Sequence, residues 1–177
     1  VRQERALSTN SPSETWDVVD TVFNNLGQVF QQSRPYSLGS GSPVFSTFAY
    51  DVLGRATRVT AADGSVTETY YNEQDFDVGD SYIPQRPDIA SSEPGETMLV
   101  RDAWGRERWG RMDASGRLVE VVEPNPNGNG SVATGGLVTR YVYNVLGNLA
   151  TISSMSGSQL TQTRSFKYDS LGRLTAQ

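Results

Sequence analysis

Four carboxylates recur along the chain in one local setting. Asp51, Asp102, Asp113 and Asp169 are each followed three residues later by a glycine and four residues later by an arginine: Arg55, Arg106, Arg117 and Arg173. Carboxylates at fixed spacing are the raw material of general acid–base catalysis. Here, however, Asn24 and Asn144 stand in the same place in two sister segments. An amide cannot exchange a proton as a catalytic acid must, but its oxygen accepts the same backbone hydrogen bonds. Turn capping accounts for this exchange and catalysis does not. The expectation is a chain that is not an enzyme, with no catalytic residues. The recurrent arginines are expected to pair with carboxylates or to stack on aromatic rings of neighbouring hairpins. Only Lys167 is a lysine among fifteen basic residues, which suits planar stacking.

Other residues offer chemistry more faintly. Glu73, Asp75, Asp77 and Asp80, with Gly79 among them, bring oxygens close together as Ca²⁺ requires. Their spacing is not that of an EF-hand loop, so a solvated acidic loop without metal is expected. Trp16, Trp104, Trp109, Tyr70, Tyr71, Tyr82, Tyr141 and Tyr143 could form a platform for sugars, or could pack across strands. Asn129-Gly130-Ser131 fits a glycosylation sequon. The chain holds neither Cys nor His, which excludes disulfides, thiolate and imidazole metal sites, and every mechanism built on those groups. No cofactor is expected. A net charge of −5 has the wrong sign for a nucleic-acid binder. No apolar run approaches the roughly 18 residues of a membrane helix, so membrane insertion is not expected. Residues 1–10 carry three charges and no apolar stretch, unlike a signal peptide.

The elements that hold these residues are set by an internal repeat. The segments 23–29, 50–56, 143–149 and 168–174 share an order of aromatic, Asp or Asn, two residues, Gly, polar, apolar; 101–106 and 112–118 are looser copies. The glycines at 27, 54, 105, 116, 147 and 172 are spaced by 27, 51, 11, 31 and 25 residues. The gap of 51 is about two units long, so one copy has decayed or been overwritten, while the gap of 11 leaves room for one strand between two turns. Asp or Asn followed by Gly at this spacing closes a β-hairpin. Around the turns the chain alternates: Phe166 and Tyr168 share a face opposite Ser165 and Lys167, and Tyr141 and Tyr143 a face opposite Arg140 and Val142. Seventeen glycines and eight prolines outnumber the twenty acids, as a turn-rich all-β chain requires. Two stretches break the pattern. Residues 73–97, with Pro84, Pro87 and Pro94, read as an acidic surface loop or insertion replacing a repeat; residues 124–136 read as a Gly/Asn-rich loop between two strands, where Asn127-Gly128 and Asn129-Gly130 could form tight turns. Both return to the same repeat, so 1–177 reads as one hairpin array, an excerpt of a longer one.

The repeated aromatic-Asp-x-x-Gly-Arg-Leu, best preserved at Tyr50–Ala56 and Tyr168–Leu174 and nearly so at Met112–Leu118, resembles the YD repeat of RHS proteins. The resemblance covers most of the chain. It implies a continuous, curved sheet of tandem β-hairpins, part of a spiral shell or an extended assembly. In bacterial polymorphic toxins and Tc toxins such shells enclose a toxic C-terminal domain, and teneurin-like proteins use a similar shell at the cell surface. A secreted or cell-surface location is implied by the resemblance alone. The DPxGL-type signature of the family's cap and self-cleavage region is absent, so neither autoprotease nor toxin domain is assigned. About thirteen strands at about 4.8 Å each make a sheet about 60 Å wide. A cargo of roughly 100 residues needs a wall of circumference about 140 Å. The chain alone encloses nothing, and both sheet edges are expected to meet further YD repeats, of the same polypeptide or of neighbouring subunits. The expected role is that of a scaffold, a wall segment around a toxin or other cargo. The competitors are an extracellular fibre or adhesin subunit joined through sheet edges and a carbohydrate-binding module.

Overall fold

Alternating Tyr, Val, Thr and Phe give strands wherever the chain is not turning. The computed structural model describes residues 2–6, 16–37, 39, 41–76, 81–157 and 159–177. The strands are β1 (Arg2–Ala6), β2 (Trp16–Phe23), β3 (Val29–Ser33), β4 (Tyr36–Ser37), β5 (Phe45–Tyr50), β6 (Ala56–Thr60), β7 (Val66–Tyr71), β8 (Glu96–Arg101), β9 (Glu107–Met112), β10 (Leu118–Glu123), β11 (Leu137–Tyr143), β12 (Leu149–Ser156), β13 (Gln159–Ser165), β14 (Lys167–Tyr168) and β15 (Leu174–Ala176). None of the described residues is helical. Twelve strands succeed one another in antiparallel order from β1 to β13 without closing into a barrel; β4 pairs with β2, and β14 and β15 pair with each other. The all-β hairpin reading holds. The chain divides into two compact units, residues 1–68 and 69–177.

In the first unit, consecutive antiparallel strands put successive connections at opposite ends. The turns at 24–27 and 51–54 therefore share one strand end, and the connection 34–44 lies at the other. A turn the repeat did not flag also lies at that other end: Gly64 donates to the Ala61 carbonyl at 2.9 Å and Ala61 to the Ser65 carbonyl at 2.8 Å, joining β6 to β7. The 51-residue gap thus holds a hairpin as well as an excursion. Val18 is fully buried, the Tyr36 hydroxyl donates to Asp20 at 2.7 Å, and the Asp20 amide donates to the Ser33 hydroxyl at 2.8 Å.

The second unit has a two-layered centre. Register places Leu99, Trp109, Val122, Val138 and Met155 side by side on β8 to β12. Onto this row fold Val132 from residues 124–136 and Tyr82, Ile89 and Ala90 from residues 72–95. The stretch 73–97 is irregular and largely exposed as far as residue 95, yet it also lays Tyr82, Ile89 and Ala90 on the sheet; Glu96 and Thr97 already belong to β8. The loop at 124–136 keeps its boundaries but is also a cover, with Val132 fully buried. Apolar side chains widely separated in sequence drive both segments onto the one sheet face that displays Trp109. A second row of polar residues fastens them. Glu120, fully buried, accepts Arg111 Nε at 3.3 Å, Arg140 Nε at 2.9 Å and the Ser91 amide at 3.1 Å. Buried Glu107 accepts the Ser131 hydroxyl and the Val132 amide, both at 2.9 Å. Asp88 ties one cover to the other, accepting the Gly135 amide at 3.0 Å and donating its own amide to the Ala133 carbonyl at 3.1 Å.

Candidate functional site

Each repeat turn is held by its own first polar residue. In the turn at 113–117, Asp113 Oδ1 accepts the amides of Ser115 and Arg117 at 2.9 and 3.0 Å, and Oδ2 accepts Arg117 Nε at 2.8 Å. Gly116 donates to the Asp113 carbonyl at 2.9 Å. Asp51 with Arg55, Asp102 with Arg106 and Asp169 with Arg173 make the same set. Asn24 and Asn144 keep the backbone half of it, and at Asn24 an amide–amide bond to Gln28 of 2.7 Å replaces the ion pair. The arrangement needs a left-handed residue before the second polar one, and Gly147 supplies it at φ +83°. The carboxyls of Asp113 and Asp169 lie below their ordinary range, the first mainly through the Arg117 guanidinium and the second mainly through the Arg173 amide. At Asp51 and Asp102 desolvation is the largest single influence and opposes the shift, but their arginine and amide donors together outweigh it. These carboxylates are occupied as turn anchors. The turn at Gly64 escapes the repeat because its first position is Ala61; Asp63 caps Ser65 instead, and the Asp63-Gly64 pair is the signal that finds it.

The copies differ just past the turn. After 24–27, 51–54, 113–116, 144–147 and 169–172, the register slips by one residue: Tyr143 pairs with Leu149 while Val142 pairs with Thr151, and Phe23–Val29, Tyr50–Ala56, Met112–Leu118 and Tyr168–Leu174 behave alike. The turn at 102–105, at the opposite strand end of its unit, has none: Arg101 pairs with Glu107 and Val100 with Arg108. It is a turn of the same chemistry out of phase with the array.

The slip sits next to the joint between successive hairpins. Tyr50 donates its hydroxyl to the Val29 carbonyl, Tyr143 to Leu118 and Tyr168 to Leu149, each at 2.8 Å. In every case the first residue of one copy reaches the last residue of the copy before it, at the carbonyl bordering the bulge. The polar residue of the earlier copy then lies against the glycine of the later: Gln28 Nε2 would be 3.1 Å from a Cβ at Gly54, Arg117 Nη1 3.8 Å from one at Gly147, and Asn148 Nδ2 3.7 Å from one at Gly172. Arg117 also stacks on the Tyr143 ring at 4.8 Å. Both expected uses of the arginines therefore occur, within one turn and between hairpins.

The remaining candidates separate. Trp109 is fully buried, donates Nε1 to Glu73 at 3.2 Å and lies under the Arg86 guanidinium at 5.3 Å. It is removed from any sugar platform, because it anchors the covers. Trp104 stays 80% exposed at a turn tip, where four of the other copies place Leu26, Leu53, Leu146 and Leu171 and the fifth Ser115. With Arg106, Asn125 and Asn129 it borders an open cleft of about 620 Å³. Glu73 is engaged by Trp109 and by the Thr97 hydroxyl at 2.8 Å; Asp77, Gly79 and Asp80 lie outside the described residues, as does the side chain of Trp16. Asn125 forms the turn to Gly128, whose amide donates to it at 2.8 Å, and Asn129 caps Ser131 at 3.1 Å.

No protein-family profile matches the sequence, and no curated protein does. Among solved structures, the chain is similar to that of TcdB2-TccC3-Cdc42, with a TM-score of 0.39 and 16% identity over 90% of this chain and 9% of that one. It is similar to TcdB2-TccC3 at 0.39 and 13% over 98% and 12%, and to TcdB2-TccC3-TEV at 0.33 and 17% over 89% and 11%. The chain thus spans about a tenth of the length of each of those chains.

Proposed function

We propose that this chain is wall material, a segment of an RHS/YD-repeat shell that encloses a toxin or other cargo. The observation that supports this reading is the recurrence of one joint at three places: a tyrosine hydroxyl of each later hairpin on the carbonyl of the hairpin before it. A module that binds a ligand gathers its special residues at one place, whereas here they recur from hairpin to hairpin along the array and are spent on neighbours. The work is mechanical, a barrier to solvent and proteases, and the chain performs no catalysis. Its place is outside the cell or at the cell surface, and its partners are further hairpins of the same kind and the enclosed cargo.

A fibre subunit is the second reading, favoured by β13, all of whose described residues are exposed along an edge that can pair with another strand. Electron microscopy of the native particle tests both. Closed hollow bodies are the expected result, long filaments would replace the shell by the fibre, and dispersed small particles would remove both.

A further inference from the structure

We propose that Asn129 is a self-modifying site, at which the Gly130 nitrogen displaces the side-chain amide and leaves aspartate or isoaspartate. The inference is independent of the scaffold reading. It starts from two Asn-Gly pairs in one loop, Asn127-Gly128 and Asn129-Gly130. Glycine after asparagine puts no β-carbon in the way of ring closure, so the sequence alone does not distinguish the pairs. The structure does, through the state of the two reacting groups. The Gly128 amide donates to the Asn125 carbonyl at 2.8 Å, which retains its proton. Gly130 is held instead by its carbonyl, which accepts the Glu107 amide at 2.8 Å; among the described residues its own amide has no partner. The side chains differ too. Asn129 Oδ1 accepts the Ser131 amide at 3.1 Å. Asn127 donates its backbone amide to Asn125 Oδ1 at 3.0 Å, and its side chain makes no bond among the described residues. Asp63-Gly64 completes the comparison. Asp63 Oδ1 accepts the Ser65 amide at 3.0 Å, but the Gly64 amide is spent on the Ala61 carbonyl at 2.9 Å. Of these three pairs, Asn129-Gly130 alone combines a capped side chain with an uncommitted nitrogen.

That combination suits the reaction. Hydroxide from solvent removes the Gly130 amide proton, which no protein acceptor retains. The nitrogen attacks Cγ of Asn129, and negative charge develops on Oδ1. The Ser131 N–H already donates to that oxygen, so the cap of the turn also stabilises the developing charge. The N–Cγ bond forms, the Cγ–Nδ2 bond breaks, and Nδ2 takes a proton from water and leaves as ammonia. Water then opens the succinimide at either carbonyl. One opening gives aspartate; the other reroutes the backbone through Cγ and gives isoaspartate. Nothing is oxidised or reduced, and water with its hydroxide is the only co-reactant. The two products act differently on the cover formed by residues 124–136. Buried Glu107 holds the Ser131 hydroxyl and the Val132 amide, both at 2.9 Å. Aspartate keeps the cap, since Asp113 and Asn144 hold equivalent turns with the same backbone contacts. Isoaspartate adds a methylene to the backbone two residues before Ser131 and shifts that residue and Val132 against Glu107. A chemical timer therefore sits beside one fastening of the cover.

The test ages the folded full chain in mildly alkaline buffer. Both Asn-Gly pairs are followed by peptide mass spectrometry, with isoaspartate separated from aspartate by chromatography. Asn129 is expected to convert about tenfold faster than Asn127, the combined weight of the hydrogen bond that Gly128 must break and the donor that the Asn127 side chain lacks. The same chain unfolded in urea is the reference, and there the two rates should converge. Equal rates in the folded chain, faster conversion at Asn127, or a difference that persists in urea would each overturn the site. So would a folded chain in which neither pair converts while both convert in urea. The product is tested on the cover. Isoaspartate at position 129 should speed amide exchange at Val132 about fivefold, the weight of one hydrogen bond, while Asn129→Asp should leave it unchanged. Equal acceleration by the two would overturn the effect assigned to the lengthened backbone.

Discussion

Two stretches of the second unit solve the same problem differently. Along β8 to β11 the sheet carries a second layer, and Trp109, Val122, Val132 and Val138 are almost wholly withdrawn from water. Along β12 to β15 few contacts of that kind exist: β13 and β15 are exposed throughout, and the hairpins are held by caps, ion pairs and the Tyr168–Leu149 bond. The hairpin pattern is common to both, so it does not depend on a core. Turn chemistry fixes where the chain reverses and joints fix which strand comes next. Burial is an addition where an insertion supplies apolar groups.

If this division is right, the largest losses fall on the covered stretch. Trp109→Ala removes the centre of the row and leaves the Glu73 carboxylate short of a donor; a loss of about 3–5 kcal/mol is expected in urea unfolding. Glu120→Ala leaves Arg111, whose side chain is 10% exposed, without its buried counter-charge, and should cost about 3 kcal/mol. It should also release the 72–95 cover, read as faster amide exchange at Ser91. Trp104→Ala, at an exposed tip, should stay within about 0.5 kcal/mol. A Trp104→Ala loss equal to that of Trp109→Ala would break the comparison.

The next effect is local to the turns. Gly147→Ala forces a β-carbon into the left-handed region and should cost about 1–2 kcal/mol in the same measurement. Gly110→Ala is the control. Its φ is ordinary, and its added carbon would meet Leu118 at 3.6 Å, a normal contact, so a change below about 0.5 kcal/mol is expected. Equal losses would mean that packing, and not backbone geometry, makes the motif glycine necessary.

Legibility in the sequence divides along the same line. The turns are readable because Asp, Gly and Arg within five residues carry their whole cause, and six of them stand where the repeat places them. The covers are not readable, since Val132 in a Gly- and Asn-rich loop and Ile89 among prolines have no local reason to be buried; their partners are strands far away in the chain. Glu120 in Leu-Val-Glu-Val-Val-Glu looks like a solvent-facing strand residue, and nothing nearby announces that Arg111 and Arg140 flank it. Trp109 passes for a platform residue for the same reason. The joints lie between these extremes. The tyrosine is visible as part of the motif, but its acceptor is a carbonyl in the preceding copy, and a carbonyl has no letter in the sequence.

The joint itself gives a smaller effect, and one that should be alike in both units. Tyr143→Phe keeps the ring under Arg117 and deletes only the bond to Leu118; Tyr50→Phe does the same to Val29 in the first unit. Each should cost about 1 kcal/mol, seen as roughly fivefold faster exchange confined to the strands flanking the joint. A large loss at one and none at the other would show that the joints of the two units are not equivalent.

The smallest effect is electrostatic and separates aspartate copies from asparagine copies. Asp113 and Asp169 titrate below the ordinary carboxylate value of 3.8 because the folded chain donates to their charged form. A depressed folded value means that the contribution is present above about pH 4 and is lost as pH falls through the lowered value. Asn24 and Asn144 make the same backbone contacts with nothing to titrate. Acid should therefore loosen the turns at 113–117 and 169–173 before those at 24–28 and 144–148, as read by amide exchange at Arg117, Arg173, Gln28 and Asn148 between about pH 5 and pH 2. Asp113→Asn should make the Arg117 amide behave like that of Asn148. If Arg117 in that variant still loses protection over the same interval, the acid response belongs to other groups, and the turn carboxylate is interchangeable with its amide at every pH.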